Sequence, residues 1–199
     1  MKRLGLITIA LGALMLIAGF FINTIGQERQ PRTALPTLTP VPSPTPIPTL
    51  LIIPKLNIKT QIDPVGITET NAMDVPKDAT RVGWYMFGPT PSARGNAVIT
   101  GHYDTPSGRP AIFYRLNKLV IGDIVEVELN NKTRYAFVVT GKDNIDVDIF
   151  PEEYVFGEKY GTNLNLITCN GVWDPIKKNY SKRLVVYATL KGTQFGTFQ

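Results

Sequence analysis

The chain holds one cysteine and one histidine, and each follows an apolar run typical of a β-strand. Residues 96–101 lead into His102, and residues 163–168 lead into Cys169. One cysteine cannot form an intramolecular disulfide, and this pair supplies too few ligands for a zinc site. A thiol and an imidazole can perform nucleophilic catalysis if the fold brings them together. The alternative is a small buried cysteine and a hydrogen-bonded loop histidine.

An arginine stands in a comparable position. Arg183 comes directly before residues 184–190, another apolar strand pattern. Side chains at strand ends point into grooves, where a guanidinium can stabilise the oxyanion that develops in acyl transfer. Thr168 could add a hydroxyl hydrogen bond beside the thiol. A surface ion pair for Arg183 and an ordinary β-branched strand position for Thr168 are the alternative interpretations.

The order of these residues and the motifs around them exclude several classes of enzyme. His102 precedes Cys169, whereas papain-like peptidases place the cysteine first. The caspase-type signature around the cysteine is absent, as are a Gly-x-Ser-x-Gly elbow and a phosphate-binding loop. Few classes of thiol enzyme therefore remain compatible with this sequence.

The N-terminus has the pattern of a membrane anchor. Lys2 and Arg3 are followed by residues 4–22, which carry no charge and are long enough to cross a hydrocarbon core of about 30 Å. The positive-inside rule then places the first residues in the cytoplasm and the rest of the chain outside. We therefore predict an uncleaved signal anchor over residues 1–26 and a cell-membrane location. A cleaved signal peptide is the alternative, although residues 20–26 offer no small-x-small cleavage site.

The next segment is rich in proline and threonine. Residues 27–49 cannot bury a core and favour an extended polyproline II spacer outside the membrane. Residues 50–193 are expected to form the globular domain, followed by a tail over 194–199. A free thiol outside the cell, where disulfides usually form, suggests reactivity. The net charge of +5 is modest and its basic residues are scattered, which argues against nucleic-acid binding.

The globular part is predicted to be all-β. Residues 51–58 have the pattern of an edge strand containing Pro54, and residues 97–100, 164–168 and 184–190 have that of buried strands. Residues 124–129 and 134–139 flank a turn and predict a hairpin. Short helices are expected at 110–116 and 151–154. This spacing favours a closed or nearly closed antiparallel barrel.

Three sequence blocks carry a resemblance to a known family. They are Thr-Gly-His at 100–102, Leu-Ile-Thr-Cys at 166–169 and Lys-Arg-Leu-Val-Val-Tyr-Ala at 182–188. Together with further blocks at 82–85, 91–98, 101–105 and 113–116, they resemble the sortases over residues 51–190, particularly the Gram-positive class E or F type. Asn165 stands where the family's longer motif has threonine, which leaves the subclass open.

The resemblance implies an eight-stranded β-barrel and a transpeptidase. Such an enzyme cuts a C-terminal sorting signal of the Leu-Pro-x-Thr-Gly type on surface proteins. An amine of a cell-wall precursor or a pilin then resolves the thioacyl enzyme. Carried onto this chain, Cys169 is the nucleophile, His102 the acid/base and Arg183 the oxyanion stabiliser, with Thr168 and the backbone N–H of Tyr103 as helpers. No cofactor is expected, and no acidic cluster makes a case for a metal ion.

Other functions stay open at this level. A thiol peptidase that only hydrolyses, a tethered binding module and a structural surface protein would fit parts of the pattern. Val172, Trp173 and Tyr180, between the cysteine and the arginine, are candidates for the groove, although Trp173 fits core packing equally well. If thiol and imidazole are not tightly paired, only a small fraction of molecules would hold thiolate with imidazolium at neutral pH.

Overall fold

The computed structural model describes residues 45–194. The predicted anchor, most of the predicted linker and the last residues of the tail lie outside this range. Among the described residues, no helix has the length and apolar character needed to cross a membrane. The first strand begins at Pro48, so the end of the predicted linker already belongs to the folded domain.

Eight strands make up most of the domain. They are β1 Pro48–Ile53, β2 Ile58–Val65, β3 Val82–Tyr85, β4 Gly95–Gly101, β5 Ile124–Leu129, β6 Arg134–Asp146, β7 Thr162–Asp174 and β8 Asn179–Gln194. One short α-helix, α1, spans Glu152–Phe156, and single 3-10 turns lie at Pro54–Leu56, Leu116–Lys118 and Val147–Ile149. The strands close into a barrel in the order β1-β2-β3-β4-β7-β8-β6-β5. The predicted closed, eight-stranded, all-β barrel with few short helices is confirmed.

The expectation of a purely antiparallel barrel is wrong. β2 pairs with β3, and β4 with β7, in parallel. A parallel pair needs a crossover connection, and residues between β2 and β3 and between β4 and β7 supply it. The predicted hairpin is confirmed as the antiparallel pair of β5 and β6.

Pro54 does not lie in an edge strand as predicted. It begins the 3-10 turn Pro54–Leu56, where its fixed φ and missing N–H cost nothing. Asn57 ends that turn with φ 55°, a left-handed conformation that asparagine tolerates, and its N–H donates to the Pro54 carbonyl. β1 and β2 are therefore separate strands. β1 also pairs with β5, so it is not at an edge.

The predicted helix at 110–116 is also wrong. Pro110 forms an isolated bridge with Asp104, turns follow, and only Leu116–Lys118 is helical. The short turn predicted at 151–154 is present as α1, which begins after Pro151. β7 and β8 run beyond Cys169 and Arg183, so these two residues lie within strands and not at strand ends.

Two apolar clusters hold the domain together. The barrel interior is filled by side chains that alternate along the strands, among them Leu51, Val127, Phe137, Leu164 and Leu166. Burying each such side chain contributes about 1.5–3 kcal/mol. A smaller cluster on the outer face packs α1 against β4, β7 and β8 and consists of Val98, Val155, Ile167 and Val185.

The end of β4 allows a test of this packing. A Cβ added to Gly101 would lie 2.6 Å from the ring of Phe113, which is fully buried and has little room to move. We expect Gly101→Ala to lower the free energy of unfolding by about 1–3 kcal/mol in urea titration. Gly141→Ala is the matched control, because its Cβ would meet nothing closer than 3.9 Å. Equal destabilisation by both substitutions would contradict this account.

Candidate active site

The barrel brings the three predicted site residues to one place. Cys169 on β7 and Arg183 on β8 are directly paired in the antiparallel ladder. Residues paired in this way carry their Cβ atoms about 4.5–5.5 Å apart on the same face of the sheet. β4 runs parallel to β7 with Thr100 beside Ile167, and continuing that register by two residues places His102 beside Cys169.

All three side chains line one groove of about 690 Å³. Its apolar walls come from the β2–β3 connection, from the segment that contains α1 and from the sheet, and include Ile67, Ala72, Met73, Val75, Tyr85, Phe150, Phe156 and Ile167. Thr168 also lines the groove. A thiol, an imidazole and a guanidinium in one mostly apolar groove form an arrangement suited to acyl transfer.

Burial dominates the electrostatics of the thiol. Cys169 is half-buried, and its desolvation raises its pKa above the usual range. The Arg183 guanidinium acts in the opposite direction, and the Asp104 carboxylate adds to the increase. The thiol is therefore mostly protonated at neutral pH, unlike the low-pKa thiolate of a papain-like ion pair.

His102 is oriented by the backbone of the β2–β3 connection. Its Nε2 lies 2.7 Å from the carbonyl oxygen of Pro76. Because a carbonyl can only accept a hydrogen bond, Nε2 carries a hydrogen and donates it. In the neutral ring Nδ1 then holds the lone pair, so Nδ1 is the atom left to take up or release a proton.

Arg183 is held by neutral oxygen atoms. Nη1 donates to the carbonyls of Tyr180 and Lys182 at 3.2 and 3.0 Å, and Nη2 donates to Oδ1 of Asn179 at 2.8 Å. A guanidinium has five N–H groups, so Nε–H and one Nη2–H keep no acceptor among residues 45–194. Nε–H and an Nη2–H on the same edge of a planar guanidinium are able to bind one oxyanion together.

Thr168 and Tyr103, the two predicted helper residues, are each held by contacts with neighbouring segments. The Thr168 hydroxyl donates to the Gly101 carbonyl at 2.8 Å and so ties β7 to the end of β4. Because that hydrogen is already used, Thr168 positions the strands. The Tyr103 ring packs against Tyr114 and Tyr180 with centroids at 4.9 and 5.6 Å, and desolvation is the largest cause of its raised pKa. The helper role of its backbone N–H stays a prediction.

None of the three predicted groove candidates Val172, Trp173 and Tyr180 is among the residues that line the groove. Trp173 is 49% exposed and packs edge-on against Tyr180, so it is neither a groove wall nor a core residue. Sequence reasoning missed the Pro76 carbonyl, Asn179 and Asp104. Asp104 lies in the block 101–105 that carries the family resemblance, two residues after His102, so a signal for it was present. A backbone carbonyl such as that of Pro76 leaves no signal in a sequence.

A closed barrel whose groove is lined by a thiol, an imidazole and a guanidinium has the groups that thiol-dependent acyl transfer requires. A family model for the sortase domain matches residues 51–191, so the chain belongs to the sortase family.

Solved structures agree with this assignment. Sortase C1 of GBS pilus island 1 is 23% identical, with 72% of this chain and 65% of that chain covered and a TM-score of 0.54. Sortase A of Listeria monocytogenes is 19% identical, with 75% and 90% covered and a TM-score of 0.57. The Clostridium perfringens sortase D5 transpeptidase is 18% identical, with 73% and 79% covered and a TM-score of 0.53. At these identities the likeness shows the shared fold.

This chain spans 65% of the length of the GBS sortase C1 chain. A search among curated proteins gives no significant match.

The protonation of Cys169 can be measured without a substrate. We expect the rate of alkylation by iodoacetamide to rise with pH to a midpoint above about 8.5, the usual pKa of a cysteine. Arg183→Gln should move this midpoint further up, because the guanidinium lowers the pKa of the thiol. Lys59→Gln, the same loss of charge at an exposed position on β2, should leave it unchanged. A midpoint well below neutral pH would instead indicate a thiolate–imidazolium pair.

Proposed function

We propose that this protein is a membrane-anchored transpeptidase that cuts a Leu-Pro-x-Thr-Gly-like sorting signal through a thioacyl intermediate on Cys169. The acyl group passes to an amine of the cell wall or of a pilin. The observation that carries the proposal is the direct pairing of Cys169 with Arg183, with His102 in the same groove. Membership of the sortase family supports a cysteine transpeptidase in general.

The first half of the reaction uses all three residues. Sγ of Cys169 attacks the scissile carbonyl carbon as a thiolate, in the form of the site in which Nδ1 of His102 holds the proton. The negative charge that develops on the carbonyl oxygen is stabilised by Nε–H and Nη2–H of Arg183. The C–N bond then breaks, and His102 gives a proton to the departing amine. The result is a thioester on Cys169.

The second half reverses these roles. An acceptor amine attacks the thioester carbonyl and gives a proton to His102, again with the oxyanion next to Arg183. The C–S bond breaks and the thiolate is released, ready to regain its proton. Water in place of the amine would give hydrolysis, so the outcome depends on which nucleophile reaches the groove.

The apolar walls of the groove support an extended substrate with apolar side chains upstream of the scissile bond. The β2–β3 connection contributes Ile67, Met73 and Val75 to these walls, and the segment around α1 contributes Phe150 and Phe156. A leucine and a proline upstream of the cleaved bond suit such walls. The signal letters and a class E or F type are inferred from the sequence resemblance alone.

Transfer can be tested with peptides. With a Leu-Pro-x-Thr-Gly peptide library and triglycine as acceptor, mass spectrometry should show a thioacyl adduct on Cys169 and a triglycine-linked product. Cys169→Ala should give neither. Arg183→Ala should lower kcat/KM about 10²–10³-fold, as removal of an oxyanion donor does, and Arg183→Lys should restore part of the loss.

Lys59→Gln serves as the control with unchanged activity. Cleavage that yields only the free acid, whatever the amine concentration, would instead identify a thiol peptidase. Product formation by Cys169→Ala would remove the thiol from the mechanism.

The proposed location follows from the sequence alone. Residues 1–26 would anchor the protein, residues 27–49 would space it from the bilayer, and the catalytic domain would meet membrane-tethered substrates outside the cell. We expect the full-length protein to stay with membranes after a carbonate wash. Deletion of residues 4–22 should release it. A shortened soluble product from the unaltered gene would contradict the anchor.

A further inference from the structure

A hydrogen bond links the segment that follows His102 to the beginning of β8. The hydroxyl of Tyr180 donates to a carboxylate oxygen of Asp104. The Tyr180 ring also packs edge-on between Tyr103 and Trp173, with centroid distances of 5.6 and 5.3 Å. The side chain of Tyr180 is therefore fixed both by a charged hydrogen bond and by aromatic contacts.

The backbone of the same tyrosine holds the guanidinium. The Tyr180 carbonyl accepts from Nη1 of Arg183. The Tyr180 N–H donates to Oδ1 of Asn179 at 2.9 Å, and this oxygen also accepts from Nη2 of Arg183 at 2.8 Å. A displacement of Tyr180 would therefore disturb two of the three hydrogen bonds that orient Arg183.

We propose that Asp104 and Tyr180 are positioning residues that hold Arg183 in place over the Cys169 thiol. Their hydrogen bond, called here the Asp104–Tyr180 clamp, fastens the strand that carries Arg183 to the segment that carries His102. The proposal rests on the proposed function in one respect, namely that Arg183 acts on the oxyanion of acyl transfer. Neither clamp residue needs to touch the substrate.

The clamp has a second action through its charge. The Asp104 carboxylate raises the pKa of the Cys169 thiol, against the opposite effect of Arg183. The hydrogen bond to Asp104 is the largest cause that raises the pKa of Tyr180 to about 12, so the phenol stays protonated in the working range. The ionisable groups around the thiol from the neighbouring elements are His102, Asp104, Glu152, Glu153, Tyr180 and Arg183.

Two conservative substitutions separate geometry from charge. Asp104→Asn keeps an oxygen that can accept from Tyr180 but removes the negative charge. Tyr180→Phe keeps the ring and its aromatic contacts but removes the hydroxyl, which frees the Asp104 carboxylate and loosens Arg183. The two variants should therefore move the alkylation midpoint of Cys169 in opposite directions, down for Asp104→Asn and up for Tyr180→Phe.

The same variants differ in catalysis. In full-length protein, Tyr180→Phe should lower kcat for peptide transfer to triglycine about tenfold with KM little changed, since it disturbs the group that stabilises the oxyanion. Asp104→Asn should keep most of the rate. Tyr114→Phe is the matched control, because this half-exposed tyrosine packs against Tyr103 and has no hydrogen bond to Asp104 or Tyr180 among the described residues; it should change neither rate nor midpoint.

A double-mutant cycle tests whether Tyr180 acts through Arg183. If it does, Tyr180→Phe has little further effect in an Arg183→Ala background. A full tenfold loss in that background would overturn the proposal, as would unchanged rate and midpoint in Tyr180→Phe. Urea unfolding of each variant identifies any general loss of structure. The lower alkylation midpoint expected for Asp104→Asn provides a second test, in a variant that keeps the hydrogen bond.

The alkylation measurement keeps the two proposals separate because it needs no substrate. Opposite shifts of the midpoint without acyl transfer to any amine would support the clamp and contradict the transpeptidase. Normal transfer with both midpoints unmoved would support the transpeptidase and contradict the clamp.

Discussion

The site depends above all on the register of β7 between its two neighbours. Leu164 and Leu166 point into the barrel core, so Ile167 and Cys169 lie on the opposite, outer face, where the thiol meets Arg183. A slip of one residue would turn the thiol into the core and a leucine outward. The same slip would turn Asn165 into the apolar core and break its hydrogen bond to the Val155 carbonyl, so it is costly. The packing that stabilises the fold thus fixes the position of the Cys169 thiol.

The helix on the outer face links this packing to the groove. Asn165, which departs from the family's motif, is buried and donates through Nδ2 to the Val155 carbonyl at 2.7 Å. Asn96 on β4 donates to the carbonyls of Tyr154 and Gly157 at 3.2 and 3.0 Å. These bonds satisfy carbonyls of the α1 segment, whose Phe156 forms part of the groove wall. The departure from the family's motif at Asn165 is therefore explained by its hydrogen bond to the α1 segment and not by the chemistry of the site.

Structural features that depend on consecutive residues could be predicted from the sequence, whereas those that depend on contacts between distant segments could not. The alternation in β5 and β6 and the turn between them are written in consecutive residues, so the hairpin could be predicted. The parallel pairing of β4 with β7 joins segments far apart in sequence, and no local pattern specifies it. Pro54 fits an edge strand and the start of a 3-10 turn equally well, and only closure of the barrel decides between them. Family motifs pointed to three residues that the barrel brings into one groove, but not to the Pro76 carbonyl or Asn179, which bind His102 and Arg183.

The groups that orient the site share one chemical property. The Pro76 carbonyl holds His102, and the Tyr180 and Lys182 carbonyls with the Asn179 amide hold Arg183; all are neutral acceptors. A carboxylate in any of these positions would neutralise part of the positive charge that an oxyanion needs. The nearby carboxylate of Asp104 is bonded to the Tyr180 hydroxyl instead. Orientation is thus achieved without ion pairing, so in the proposed reaction the full charge of the Arg183 guanidinium would be available to the oxyanion.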